Sequence, residues 1–446
     1  MGRGGGVVSL GAFRRSRTLE ACDILGCLLP VKVIVGERLL GFWAQRHVVL
    51  GIGGGIAAYK ALELIRRLRD AEAVVTVVVT AAALEFVTRV TLQTLSGNMV
   101  HDALFNLDQE RTLDHIRLAK TGDILVVAPA TADLLARMAA GMGNDLLSTV
   151  FLARRGPVLV APAMNTAMWE HPATQRNCNT LRADGVHIVG PGSGPLACGD
   201  EGPGRLVDVD LLLEAMVRTL TPKPLAGRTI LVTAGPTREE LDPVRFLSNN
   251  SSGKMGWAVA NAALRAGAEV ILVHGPVAMA PPWGAQAIPV TSAREMEAAA
   301  RKAWPACQVA ILTAAVGDYR PERRVPMKIK KHVGDPALTL TLVQNPDILV
   351  GLVAARQPGQ MVIGFAAETG PEAIALGREK LVRKQCDWLV VNDVLEHGSG
   401  FGVDTNRVTL LTPNGGEECW PLLDKEVVAE RLIARVARHL QHDITP

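Results

Sequence analysis

Arg46-His47-Val48-Val49-Leu50-Gly51-Ile52-Gly53-Gly54-Gly55 joins an apolar run to a cluster of glycines. The run over 46–50 has the length of a buried strand, and the glycines over 51–55 supply a tight turn. Beyond them Leu62, Ile65 and Leu68 recur at helical spacing, which predicts an amphipathic helix over 56–70. A second strand follows over 74–80. Strand, turn, helix and strand in that order make a parallel pair with a right-handed crossover. Further apolar runs at 124–128, 158–161 and 186–189 extend the pair into a doubly wound sheet.

The pattern stops at Thr221-Pro222-Lys223-Pro224-Leu225-Ala226-Gly227, where two prolines disfavour continuous helix, and restarts beyond it. Strands are predicted over 229–233, 270–274, 309–313, 361–365 and 388–391. Helices are predicted over 255–266, 293–303, 348–355 and 371–384. A hairpin containing Val408 and Trp420 and a closing helix over 425–440 complete the chain. The expected fold class is α/β: two three-layer domains with mostly parallel doubly wound sheets, over 46–221 and 226–446. An N-terminal extension over 1–45, Gly/Arg-rich at its start and expected to be poorly ordered, precedes them.

A chain of 446 residues exceeds one ordinary core and suits two domains. Aromatic residues are scarce while Ala, Val, Leu and Gly dominate, as where apolar strands alternate with small-residue helices. A net charge of +3 spread over both signs gives no reason to expect nucleic acid as a partner. Seven scattered cysteines without a Cys-x-x-Cys pair argue against a disulfide framework and a structural metal, and point to the cytoplasm. No apolar run reaches the ~18 residues of a membrane helix, so no membrane association is expected.

Several segments sit where α/β sheets bind ligands. Glycines at a strand end let backbone amides approach an anion, although many α/β proteins place glycine there simply to turn. No acidic residue ends the second strand, where Thr80 follows Val79, so a mononucleotide cofactor suits the turn better than a dinucleotide. Pro129-Ala130-Thr131-Ala132-Asp133 follows a strand and precedes a helix; Thr131 or Asp133 is equally an ordinary N-cap. Asn165, in Pro162-Ala163-Met164-Asn165, reads locally as a turn residue. By themselves His115 reads as a surface histidine and Cys198 as a buried hydrophobe.

Taken in order, Gly54-Gly55-Ile56-Ala57-Ala58-Tyr59-Lys60, His115-Ile116, Ala128 to Asp133, Pro162 to Asn165 and Ala197-Cys198-Gly199-Asp200-Glu201-Gly202-Pro203-Gly204-Arg205 resemble the flavin-dependent phosphopantothenoylcysteine decarboxylases. The resemblance implies a flavodoxin-like, flavin-decarboxylase type of first domain. It implies FMN held by Gly53, Gly54, Gly55, Ile56, Pro129, Ala130, Thr131 and Ala132. It also implies His115 as a catalytic base or orienting group, Asn165 as holder of the substrate carboxylate, and Cys198 as a proton donor on a substrate-covering segment. Many relatives carry serine where this chain has Gly53, which puts one cofactor contact in doubt.

The second half carries Ala234-Gly235-Pro236-Thr237 and a run from Asp242 through Gly253-Lys254-Met255-Gly256 that makes an anion nest ahead of a helix. The spacing of a P-loop is missing, which excludes an ordinary NTPase. Lys328-Ile329-Lys330-Lys331 by itself is a solvated basic loop. With Ala314 to Arg320, Asn345-Pro346-Asp347-Ile348, Gly364 to Thr369 and Val391 to Val394, these segments resemble phosphopantothenate-cysteine ligase, and imply a Rossmann-like domain. By that resemblance Asn249 assists formation of an acyl-cytidylate, while Asp318, Lys328, Phe365, Lys380 and Lys384 contact CTP. Arg245 lies near the acyl-phosphate substrate, and the 345–348 segment belongs to the same site. Mg²⁺ arrives with the triphosphate; its protein ligands are not read from the sequence.

The combined expectation is a bifunctional enzyme of coenzyme A synthesis that takes 4′-phosphopantothenate, cysteine and CTP. Both halves are expected to self-associate in a homo-oligomer. Two other readings remain: a flavin-binding regulatory protein on the same first domain, and an enzyme whose ligase half alone is active.

Overall fold

The computed structural model describes residues 41–104, 114–330 and 337–442. The first sheet contains β1 (His47–Ile52), β2 (Val74–Val79), β3 (Val100–His101), β4 (Ile124–Ala130), β5 (Val158–Pro162) and β6 (His187–Ile188). Its strand order is β3-β2-β1-β4-β5-β6, and every pair is parallel. With the two-residue edge strand β3 set aside, the order is that of flavodoxin-like folds, as expected from the resemblance. The direction of winding reverses between β1 and β4, which opens a crevice at their carboxyl ends.

Alternation along the strands builds three layers. Val48, Leu50 and Ile52 face one core with Leu64, Ile65 and Leu68 of α1 (Tyr59–Asp70). Val49 faces the opposite core, with Leu134, Leu135 and Met138. The predicted turn begins later than its glycines suggest, because Gly51 and Ile52 complete β1. Gly51 is a packing position there, since a Cβ would lie 2.5 Å from a Leu147 methyl.

Most of the segment assigned to the N-terminal extension lies outside the described residues. Its last residues belong to the fold: 41–43 are helical and Trp43 is fully buried in the first core. Burial of one indole explains why these residues are fixed when the composition around them predicts little order.

Beyond β6, β7 (Gly192–Pro195) and β8 (Glu201–Arg205) form an antiparallel hairpin that the apolar pattern does not announce. The second sheet contains β9 (Thr229–Ala234), β12 (Glu269–His274), β13 (Gln286–Pro289), β14 (Val309–Leu312), β17 (Met361–Glu368), β18 (Trp388–Asp393), β19 (Thr405–Leu411) and β20 (Glu417–Asp424). The intervening short strands, β10 (Arg238–Glu240) with β11 (Phe246–Ser248) and β15 (Tyr319–Pro321) with β16 (Leu342–Gln344), form two small hairpins. The large sheet runs β13-β12-β9-β14-β17-β18-β19-β20, the Rossmann order extended by two antiparallel strands. Ile230, Val232 and Ala234 face one core and Leu231 the other, so this half is also three-layered.

The halves meet through Arg265, only 4% exposed, whose guanidinium pairs with Glu214 of the first half and with Glu426 and Glu430 of the second. Lys223 in the connecting segment donates to the carbonyls of Thr221 and Arg265 at 2.8 Å. Burial pushes its ammonium down to about 8, with the nearby Arg218 adding to the shift. Among the described residues no helix is long and apolar enough to cross a membrane.

Candidate active sites

The crevice of the first sheet is a cleft of about 710 Å³ lined from three strand ends. Gly54, Gly55 and Ile56 enter from β1, Pro129, Thr131 and Ala132 from β4, and Met164 and Asn165 from β5. Gly53 lies beneath them, its amide donating to the Pro129 carbonyl at 2.9 Å. A Cβ on Gly53 would stand 2.6 Å from that oxygen, so a serine here requires the main chain to shift. No side chain caps the helical segment that opens at Ile56. Its amide end therefore faces the cleft as an anion seat. Ile56 and Tyr59, both more than half exposed, offer apolar surface beside it. An apolar wall next to an amide-rich turn fits a flavin ring and its phosphate.

Thr131 is the N-cap of the helix Ala132–Ala139, its hydroxyl accepting from the Leu134 amide at 3.2 Å, and it lines the cleft as well. The N-cap reading of this threonine is observed, and its place in the cleft leaves it able to meet a ligand as well. Asn165 likewise caps the short helix Thr166–Glu170, with Oδ1 accepting from Ala167 N at 2.8 Å. That bond leaves its Nδ2 free to turn toward the hairpin.

The β7–β8 hairpin brings Cys198 to Asn165. Nδ2 of Asn165 lies 3.3 Å from the Cys198 Sγ and donates to Asp200 Oδ2 at 2.8 Å. The thiol in turn donates to the same carboxylate oxygen at 3.3 Å. Cys198 is exposed, which overturns its local reading as a buried hydrophobe. The hairpin is pinned where Met164 N donates to Gly204 O at 2.9 Å. Only glycine fits there: φ is +145°, and a Cβ would lie 2.2 Å from the Met164 carbonyl oxygen. The resemblance assigns no role to Asp200, although it lies in the same motif; its signal is the two-residue spacing from Cys198 across a turn. His115 opens the helix Asp114–Lys120, is half-buried, and is not among the residues lining the cleft.

The second crevice lies where winding reverses between β9 and β14. Pro236 and Ala315 pair across it, and Thr237 Oγ1 accepts from Gly317 N at 2.9 Å. Two amide side chains hold the loop after β14 from opposite sides. Asn249 Nδ2 donates to the carbonyls of Ala315 and Val316 at 2.9 and 3.2 Å, and Asn345 Nδ2 to that of Gly317 at 2.8 Å. Asp318 is exposed at the end of this loop, its carbonyl accepting from Asn345 N. Pro346 is half-buried, while Asp347 caps the helix that Ile348 begins and pairs with Lys384 at 3.3 Å. Lys380, one turn before Lys384, pairs with the nearly buried Glu368, three residues beyond the half-buried Phe365 on β17.

Arg245 forms an ion pair with Asp242 at 2.9 Å, and the same guanidinium donates to the Ile329 carbonyl. Burial pushes the Asp242 carboxyl up, but the amides of Ile329, Val244 and Arg245 and the guanidinium outweigh it and hold the group at about 2. This carboxylate fixes the start of the basic loop against β11's approach. Lys328 and Lys330 stay exposed on that loop, and Lys331 lies outside the described residues.

The two crevices define a two-domain α/β protein of the flavoprotein class. The family described as Flavoprotein matches residues 43–221, and the DNA/pantothenate metabolism flavoprotein C-terminal domain matches residues 225–440. The chain is 46% identical over 400 residues to the coenzyme A biosynthesis bifunctional protein CoaBC of Vibrio cholerae, covering 90% of this chain and 98% of the relative. It is also 46% identical over 396 residues to the Escherichia coli protein of that name, covering 88% and 97%. A solved C-terminal domain of a CoaBC protein is 39% identical, with a TM-score of 0.42, covering 49% of this chain and 99% of that one. The chain belongs to the family of bifunctional coenzyme A biosynthesis proteins. It is an enzyme with a decarboxylase and a ligase half.

Proposed function

We propose that the domain over 226–446 joins cysteine to 4′-phosphopantothenate, and that the domain over 46–221 then decarboxylates the product to 4′-phosphopantetheine. The observation that carries the decarboxylase assignment is the meeting of Asn165 and Cys198 at 3.3 Å over the cleft, from positions 33 residues apart.

FMN is the cofactor that the Flavoprotein match and the cleft support, held by the 53–56 turn and by residues 129–132. When bound it supplies the two-electron acceptor that turns the substrate thiol into a C=S group able to accept the charge left by departing CO₂. Asn165 then orients the substrate carboxylate with its Nδ2, since Oδ1 is committed to Ala167. Cys198 covers the cleft and gives its proton to the carbon skeleton in the closing reduction. His115 orients the substrate or takes its proton. A homo-oligomer in which a second copy completes the site belongs to this reading, with His115 outside the cleft lining of the single chain.

In the ligase half an amine cannot usefully displace oxide from a carboxylate, so the acid is first coupled to CMP from CTP, with pyrophosphate leaving. Lys328, Lys380 and Lys384 stabilise the charge developing on the triphosphate, which brings Mg²⁺ with it. The carboxylates now on Lys380 and Lys384 give way to the nucleotide. Asn249 and Asn345 keep the 315–317 loop in place, Asp318 and Phe365 complete the nucleotide seat, and Arg245 faces the phosphorylated acid. Both steps belong in the cytoplasm.

The test is mass spectrometry of products from purified protein given 4′-phosphopantothenate, cysteine, CTP and Mg²⁺. 4′-Phosphopantetheine is the expected product. A stop at phosphopantothenoylcysteine with FMN bound refutes the decarboxylase assignment; no product refutes the ligase assignment, and phosphopantothenoylcysteine supplied directly then tests the decarboxylase.

A further inference from the structure

Beside the decarboxylase cleft, touching two of the residues that line it, stands a charged group that the proposed chemistry leaves without a task. Asp200 stands at the tip of the β7–β8 hairpin, and its Oδ2 receives two hydrogen bonds, from Asn165 Nδ2 at 2.8 Å and from the Cys198 thiol at 3.3 Å. Its own carbonyl accepts from Leu196 N at 2.8 Å, which closes the hairpin loop around Cys198. One carboxylate oxygen therefore ties the substrate-orienting amide of β5 to the thiol of the hairpin.

We propose that Asp200 is a positioning residue of the decarboxylase half, acting through Cys198. This rests on the decarboxylase reading above. A thiol is a weak donor with a freely rotating S–H, and its proton goes wherever the best acceptor lies. A carboxylate is a stronger acceptor than the amide or water. Asp200 thus fixes the direction of the S–H bond and holds the sulfur beside Asn165 until the substrate is in place.

The step served is the last one. After CO₂ leaves, the product is an enethiol with a C=C bond. Its reduction would place a hydride, which bound FMN in its reduced form would supply, on the sulfur-bearing carbon and the Cys198 proton on the neighbouring carbon. The C=C π bond, the Cys198 S–H bond and the cofactor N–H bond that gives the hydride would break, two C–H bonds would form, and the cofactor would end oxidised. The Cys198 thiolate would then take a proton from water. Oxidation and loss of CO₂ precede this and do not draw on the Cys198 proton. Loss of Asp200 therefore separates the two halves of the reaction, which a merely structural defect does not do.

The experiment gives full-length Asp200→Ala protein, loaded with FMN, phosphopantothenoylcysteine, and follows products by mass and the flavin by its visible absorption. The expected result is release of CO₂ with accumulation of the enethiol, two mass units below the normal product, and a flavin that stays reduced. Saturated product formation falls at least tenfold, and Asp200→Glu recovers part of it. FMN bound at the wild-type stoichiometry certifies the fold of the mutated half, and ligase turnover at the wild-type rate that of the other. Normal product without enethiol overturns the proposal. Uniform slowing with no enethiol and an oxidised flavin overturns it too, because that marks a purely structural hairpin contact. Failure of the wild-type protein to release CO₂ would instead sink the decarboxylase reading beneath it.

Discussion

Gly204→Ala tests the geometry of the first site most directly. The added methyl would stand 2.2 Å from the Met164 carbonyl oxygen, on a residue whose φ is +145°. Forcing a methyl into a packed contact costs about 1–3 kcal/mol, and a backbone region open only to glycine costs about as much again. The rigid side of this contact is main chain next to β5, so relief comes from the hairpin, which must retreat by roughly 1 Å to reach ordinary van der Waals distance. A retreat of that size carries Cys198 away from Asn165, and misplacement of ~1 Å at a reacting group can cost on the order of 100-fold in rate. The expected outcome is a ~100-fold fall in formation of the saturated product with little change in ligation, since the hairpin belongs to the first half. The two activities are read separately, by supplying phosphopantothenoylcysteine for one and by following pyrophosphate release for the other. Wild-type formation of the saturated product in this variant would refute the reasoning, for it would mean that the 3.3 Å approach of Cys198 to Asn165 is not what the reaction uses.

Two further outcomes follow from the second half. Lys380→Ala removes one cation from the proposed triphosphate seat, and a charged hydrogen bond contributes ~1.5–3 kcal/mol, so KM for CTP should rise roughly 10- to 100-fold. Decarboxylation of supplied phosphopantothenoylcysteine should not change; an unaltered KM for CTP excludes Lys380 from the seat. Asp242 makes the basic loop acid-sensitive: its folded value of about 2 lies below the ordinary 3.8, so its stabilising effect is full above that ordinary value and is lost as pH falls toward 2. Asp242→Asn should flatten that part of the pH dependence of unfolding, as followed by circular dichroism between neutral and strongly acidic pH, and an identical acid limb in the two proteins would remove the role.

The sequence by itself determined the architecture, because the physics involved is local and periodic. The apolar run over 46–50 and the helical spacing of Leu62, Ile65 and Leu68 announce a strand and a helix wherever they occur, and the prolines at 222 and 224 mark the break between two such series. The two proposed chemistries were also legible, through ordered motifs that no single residue reveals. What the pattern missed were pieces without apolar periodicity. The glycine-rich β7–β8 hairpin, the β10–β11 and β15–β16 hairpins and the anchoring of Trp43 depend on contacts between distant segments.

Only the tertiary structure decided which neighbours these residues acquire. Cys198 looked like a core residue and proves exposed, because a hairpin pinned at Gly204 holds it over the cleft. Asp200 becomes the partner of two site residues through a loop closure with no periodic trace. Lys380 and Lys384 find carboxylates at Glu368 and Asp347 because the helix carrying them packs beside the β17 end, a relation set by the sheet order. Strand and helix are encoded within a few residues. A site assembled from several strand ends exists only once the sheet has fixed the order in which they stand.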